Sequence, residues 1–147
     1  MRITLCGSIK FYEDMNRCKE QLEKLGHEVK LPPCEIKDDK GGTISVTEYY
    51  NMRKEEKNDE SWIWKRKEES MRAHFDKICW SEVILVLNIS KNNIANYIGG
   101  NTLLEMGLAF HLKKKIFLLN PIPEISYKEE ILGMSPVILN SNLSLIK

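Results

Sequence analysis

The chain has 147 residues, and its 22 Lys and Arg against 21 Asp and Glu leave a formal charge of +1. That length suits one domain, 1–147, with one continuous core, and so even a charge balance gives no basis for general binding to a nucleic-acid polymer. The four cysteines, Cys6, Cys18, Cys34 and Cys79, stand far apart without a C-x-x-C pair or a Cys/His cluster that would complete a zinc set. They read as buried thiols of a reducing compartment, and neither a metal nor a cofactor is expected. The N-terminal MRITLCGSIK holds only a short apolar run, and no 18-residue apolar stretch follows, so the expected location is the cytoplasm, away from membranes.

Arg2 to Cys6 (RITLC) is a short strand ending at Gly7-Ser8, after which Phe11, Met15, Cys18, Leu22 and Leu25 recur at helical spacing up to Gly26. HEVKL then forms a second strand that runs into Pro32-Pro33, completing a βαβ unit. Residues 35–70 change to charged and amide side chains, with Tyr49, Tyr50, Trp62 and Trp64 as their apolar content. This segment reads as a partly helical insertion, either a solvated charged helix or a cover that uses its rings over a substrate. Met71, Phe75 and Ile78 share a helical face before EVILVLN, an unbroken apolar run of the central parallel-strand kind. The loop ISKNNIANYIGG, an apolar helix, the strand KIFLLNP, a short helix in YKEEILGM and a last strand PVIL follow. The predicted fold is therefore α/β, a Rossmann-like doubly wound five-stranded parallel sheet with a charged helical insertion.

In an open parallel sheet, ligands sit beyond the carboxyl ends of the strands. Three segments lie there: Gly7-Ser8-Ile9, Asn88 to Thr102, and Asn120 to Pro123, all predicted to face one crevice. Gly7-Ser8 lets backbone N–H groups approach an anion, or is simply a turn that needs a small residue. Gly99-Gly100-Asn101-Thr102 repeats the device with an N-cap candidate and a hydroxyl before a helix. One turn on, Glu105 interrupts an otherwise apolar helix that reads as packed on all sides. It is either an N3 glutamate closing a capping box on Asn101 or Thr102, or a carboxylate facing a pocket. His74 is either a satisfied histidine or a proton donor near neutral pH, and Asp76, two residues on, points away from it. His27 and His111 read as structural.

CGSI after the first strand, SEVILVLN, and GNTLLEMGLA followed by KKIFLL together resemble the nucleoside 2-deoxyribosyltransferase superfamily, and within it the 2′-deoxynucleoside 5′-phosphate N-hydrolases. The likeness covers residues 1–34 and 71–120. It implies a homodimer that cleaves the N-glycosidic bond of a nucleoside or nucleotide with the Glu of E-x-G-x-A, here Glu105, as nucleophile. Two carboxylates of that pattern are replaced: His74 stands where the Asp beside the leaving base is expected, and Gly99 where transferases carry an Asp. GGNTLLE also resembles the P-G-G-x-G-T-x-x-E motif of lysine-decarboxylase-like phosphoribohydrolases, with Ile98 and Asn101 in place of the Pro and the third Gly. The expected catalytic residues are Glu105 and His74, and the expected substrate contacts are Gly7, Ser8, Ile9, Asn88, Gly99, Gly100, Asn101 and Thr102. The alternative is a Rossmann-type sensor that binds a nucleotide without turning it over.

Overall fold

The computed structural model describes residues 1–147. In chain order its elements are β1 (Arg2–Cys6), α1 (Tyr12–Lys24), β2 (Glu28–Lys30), β3 (Glu35–Lys37), β4 (Thr43–Ser45), α2 (Val46–Glu55), α3 (Trp62–Trp80), β5 (Val83–Val86), α4 (Gly100–His111), β6 (Lys115–Leu118), α5 (Lys128–Gly133) and β7 (Val137–Ile138). Five strands form one parallel sheet in the order β2-β1-β5-β6-β7. The strand order reverses between β1 and β5, which places a topological switch point there.

Side-chain alternation divides the core into two layers. Ile3 and Leu5 of β1, with Val83 and Leu85 of β5, pack on Met15, Cys18 and Leu22 of α1. Their neighbours Cys6, Ile84 and Val86 face the opposite way, onto Ile78 of α3, Met106 and Ala109 of α4, and Ile131 of α5. All four residues of β5 are buried, as a strand covered by helices on both faces requires. Thr4, the polar residue on the α3 side of β1, is satisfied by donating Oγ1 to the Lys77 carbonyl at 2.8 Å. Lys114 Nζ donates to the carbonyls of Ile78, Cys79 and Ser81, so a cation holds the exposed carbonyls at the end of α3.

The segment 35–70 is richer than a charged helix. It contains an antiparallel hairpin, β3 with β4, then α2 and the first half of α3, which continues unbroken to Trp80. Ile36, Val46, Tyr49 and Ile63 make a small core of its own, so its apolar content exceeds the four aromatic residues that composition emphasised. The rings are used within the chain: Tyr49 donates its hydroxyl to the Ile63 carbonyl, Trp62 packs 6.4 Å from Tyr49, and Trp64 donates to the Asn58 carbonyl. The helix α4 is not packed all round, because Leu104 and Phe110 are 55% and 54% exposed. Of the cysteines, Cys6 and Cys18 are buried but Cys34 and Cys79 are exposed, which corrects the reading of all four as interior thiols. No helix is long and apolar enough to cross a membrane.

Gly7 connects β1 to the crevice with φ of 153°, where a Cβ would lie 2.9 Å from Met15 Cε and 3.1 Å from the Leu87 carbonyl oxygen. Both the backbone angle and the backbone oxygen resist a side chain. Gly7→Ala is expected to lower the unfolding free energy by about 1–3 kcal/mol in urea titration, the range for strain plus overpacking.

Candidate functional site

A pocket of about 270 Å³ opens at the switch point. It is lined by Gly7, Ser8 and Ile9 after β1, Tyr97 and Gly99 from the loop before α4, Gly100 to Thr102 from the first turn of α4, and Glu105 one turn further. Tyr49, Tyr50 and Arg53 of α2 and Lys67, Ser70, Met71 and His74 of α3 supply further walls. The last four recur at helical spacing, so one continuous face of α3 reaches from the 35–70 segment to the base of the sheet.

Glu105 is 4% exposed and makes one hydrogen bond: Asn101 Nδ2 donates to its Oε1 at 2.8 Å. Its Oε2 has no hydrogen-bond partner and lies 3.8 Å from His74 Nε2. Cys6 Sγ is 3.6 Å from the same imidazole nitrogen. Lys67 Nζ donates to Asn101 Oδ1 at 3.2 Å, giving a relay from Lys67 through Asn101 to the carboxyl. Burial pushes Glu105 up to about 8, only partly offset by the neighbouring Cys6 thiol and the Lys67 charge. Burial, with the nearby Lys77 charge, lowers His74 to about 4, although the Leu5 backbone favours the protonated ring slightly. At neutral pH the two side chains are therefore a neutral imidazole and a largely protonated carboxyl in contact, rather than an ion pair. His74 faces the pocket as expected, and its burial favours the neutral ring near neutral pH.

The same pocket carries a cationic group. Lys91 Nζ donates to Ser8 Oγ at 2.8 Å and to Tyr50 OH at 3.4 Å, and sits over the rings of Tyr50 and Tyr97. Arg53 lies over Tyr49 and Tyr50, and its buried Nε lacks a partner. Burial alone would raise the Tyr50 phenol, but the Lys91 hydrogen bond and charge, together with Lys54, bring it below its usual value. Lys91 owes its position to a two-residue turn: Asn92 and Asn93 both have positive φ, and Lys91 and Ile94 exchange backbone hydrogen bonds across them. Asparagine tolerates that conformation well. Burial and the Arg53 charge lower Lys67 to about 8, so it stays largely cationic at neutrality.

Of the residues singled out from sequence, Gly7, Ser8, Ile9, His74, Gly99, Gly100, Asn101, Thr102 and Glu105 come together in this pocket. Asn88 does not. It is fully buried and joins the loops after β5 and β6, donating to the Asn120 and Pro121 carbonyls and accepting from the Asn120 N–H. With its polar atoms spent in this way it is a loop fastener, and the Asn120–Pro123 segment leaves the crevice with it. The capping-box reading of Glu105 also fails: α4 begins at Gly100 behind a Gly99 cap that has no side-chain bond, so Glu105 lies beyond the first turn. Arg53, Lys67, Lys91, Tyr97 and Cys6 were not anticipated. Lys67 was legible as the residue seven before His74, but only with α3 traced through position 70.

No family model matches the chain, and no curated protein does. Among solved structures, it is similar to a 2-deoxyribosyltransferase from the psychrotolerant bacterium Bacillus psychrosaccharolyticus, with a TM-score of 0.51 and 19% identity over 85% of this chain and 76% of that one. It is also similar to the Clostridium botulinum CMP N-glycosidase BcmB, with a TM-score of 0.45 and 17% identity over 94% of this chain and 85% of that one. At these identities the likeness is one of fold: the chain shares the Rossmann-like α/β architecture of the deoxyribosyltransferase.

The raised Glu105 has a stability signature. In the folded chain it binds its proton more tightly than in the unfolded one, so its contribution falls as pH rises from about 4.5 to about 8. The lowered His74 acts in the opposite sense, but only between about 4 and 6.5. Between pH 6.5 and 8 stability should therefore decline, with a slope of up to about 1.4 kcal/mol per pH unit from this group. Glu105→Gln is expected to flatten that slope and to be more stable than the parent at pH 8, measured by chemical denaturation. A glutamate that served as a cap would give the opposite sign.

Proposed function

We propose that the chain cleaves the N-glycosidic bond of a nucleoside 5′-monophosphate, with Glu105 as the nucleophile. The observation that carries this reading is a buried carboxyl with one free oxygen, in a pocket whose other charged side chains are Arg53, Lys67 and Lys91. Lys91, Ser8 and Tyr50, with Arg53 nearby, suit a dianionic phosphate, since charge-assisted bonds are the strong ones and the Arg53 Nε still needs an acceptor. Tyr97 and Tyr50 offer ring faces. The fold shared with a deoxyribosyltransferase is compatible with this chemistry.

In this reaction the ionised Glu105 Oε2 attacks C1′, the C1′–N bond breaks, and its electron pair leaves with the base, which takes up a proton. Water then attacks the glycosyl ester and releases the sugar phosphate. Asn101 holds Oε1 and leaves Oε2 for attack, while the cationic Lys67 favours the anion. The positive charge that develops on the sugar ring favours it further in the transition state, where a buried carboxylate acts most strongly. Lys67, still carrying its proton at neutrality, can supply the departing base; neutral His74 cannot.

A second reading has a specific observation behind it. A buried carboxyl that holds its proton near neutral pH is a hydrogen-bond donor and acceptor suited to ribose hydroxyls, as in a nucleotide sensor without turnover. Incubation with a panel of nucleoside monophosphates, with detection of free base, separates the two. For the enzyme, Glu105→Gln should lower turnover at least about a thousandfold with little change in nucleotide affinity, the pattern of a group used in the transition state. Tight binding without release by the parent chain would favour the sensor.

The phosphate assignment has its own test. Lys91→Met should raise KM for nucleoside 5′-monophosphates by about tenfold or more and leave the matching nucleosides nearly unaffected. Equal effects on both would remove the phosphate from this part of the pocket.

A further inference from the structure

We propose that Cys6 Sγ, His74 Nε2 and the Glu105 carboxylate form a binding site for one thiophilic divalent cation of the zinc type, with a fourth coordination position open to the pocket. The three donors come from different elements, the end of β1, the middle of α3 and the second turn of α4, and all are buried. Their ligand atoms lie within 4.8 Å of one another, with Cys6 and Glu105 respectively 3.6 and 3.8 Å from the imidazole nitrogen. Zinc bonds of about 2.3 Å to sulfur and about 2.0–2.2 Å to nitrogen or oxygen, in tetrahedral geometry, bring ligands to about 3.3–3.6 Å apart. Side-chain shifts of about 1 Å or less therefore close the set around an ion.

The unused hydrogen-bonding capacity points the same way. Glu105 Oε2 is buried without a hydrogen-bond partner, while Asn101 occupies the other oxygen, as an outer residue would to orient a ligating carboxylate. His74 offers Nε2 toward both other donors. One sulfur, one imidazole and one carboxylate, with a position left for solvent or substrate, is a donor set for zinc or cobalt; magnesium and calcium prefer oxygen alone. Binding forms one metal–sulfur, one metal–nitrogen and one metal–oxygen bond, and releases to solvent the Cys6 thiol proton and any proton on Glu105. The two anionic ligands then balance the dication, so a pocket that already holds Arg53, Lys67 and Lys91 gains no further net charge from the complex. Where Glu105 is the nucleophile proposed above, the ion occupies its attacking oxygen, so the metal-loaded chain does not cleave. This last consequence rests on that reading; the site itself does not.

Cobalt(II) added anaerobically to the full chain without substrate is the direct probe. The expected result is one equivalent bound with a near-ultraviolet sulfur-to-cobalt charge-transfer band and intense visible bands of tetrahedral cobalt, all displaced by zinc. Cys6→Ser and His74→Asn, each checked for folding by circular dichroism, should lose the band. The double variant Cys34→Ser/Cys79→Ser, which removes the exposed thiols, should keep it. Absence of the band in the parent chain, or its survival in Cys6→Ser, would overturn the site whatever the variants' stability. Base release by the parent should stop with one equivalent of zinc and return with chelator. A chain that binds cobalt but never releases base retains the site and loses the enzyme reading; one that releases base but shows no band loses the site alone; one that does both without inhibition loses the mutual exclusion.

Discussion

The arrangement turns on a carboxyl group kept out of water with a single hydrogen bond. Removing a carboxylate from solvent costs several kcal/mol unless it is paired, and Glu105 is only half provided for by Asn101. The fold tolerates this cost because everything around the side chain is anchored independently. Met106 and Ala109 hold α4 onto the sheet, Ile78 holds α3, and β1 brings Cys6 to the same point. An under-satisfied group fixed by well-packed neighbours is a form of stored strain, and such strain concentrates at working sites.

The cationic half of the pocket depends on a different part of the chain. Tyr50 and Arg53 ride on α2, which is held by the four-residue cluster around Tyr49, while Lys91 is presented by the Asn92-Asn93 turn. The pocket is thus assembled from the strand ends of a parallel sheet and from a segment that has no equivalent in the basic βαβ repeat. Its acid end belongs to the sheet; its basic end belongs largely to the insertion. Only α3, running from Trp62 to Trp80 without a break, belongs to both.

Much of this architecture was legible in the sequence. EVILVL, rich in β-branched residues, read as a strand buried on both faces, and its position after a βαβ unit pointed to a parallel sheet and a crevice at Gly7 and Gly99. Glu105 could be singled out because an acid in an apolar helix needs a reason. What could not be read was side-chain economy. Asn88 and Asn101 are the same residue type near the same strand end, yet one is consumed by the Asn120 loop and the other by Glu105, a choice made by tertiary contacts. The charge pattern of 35–70 hid Ile36, Val46 and Ile63 because their spacing follows a hairpin and two helices in turn, not one period. Cys6, His74 and Glu105 were invisible as a cluster, since 68 and 31 residues separate them along the chain.

The separation of the cores has a consequence for motion. Ile36, Val46, Tyr49 and Ile63 form a cluster distinct from the two layers that sandwich the sheet. Opening the hairpin and α2 exposes that small cluster alone, so it requires far less free energy than melting the sheet, and amide exchange in 35–55 should proceed by a sub-global route. Arg53 and Tyr50 would leave with it, whereas Glu105 and His74 would stay in place. The cationic walls of the pocket are thus the least costly part of the molecule to displace, and Glu105 and His74 are among the most costly.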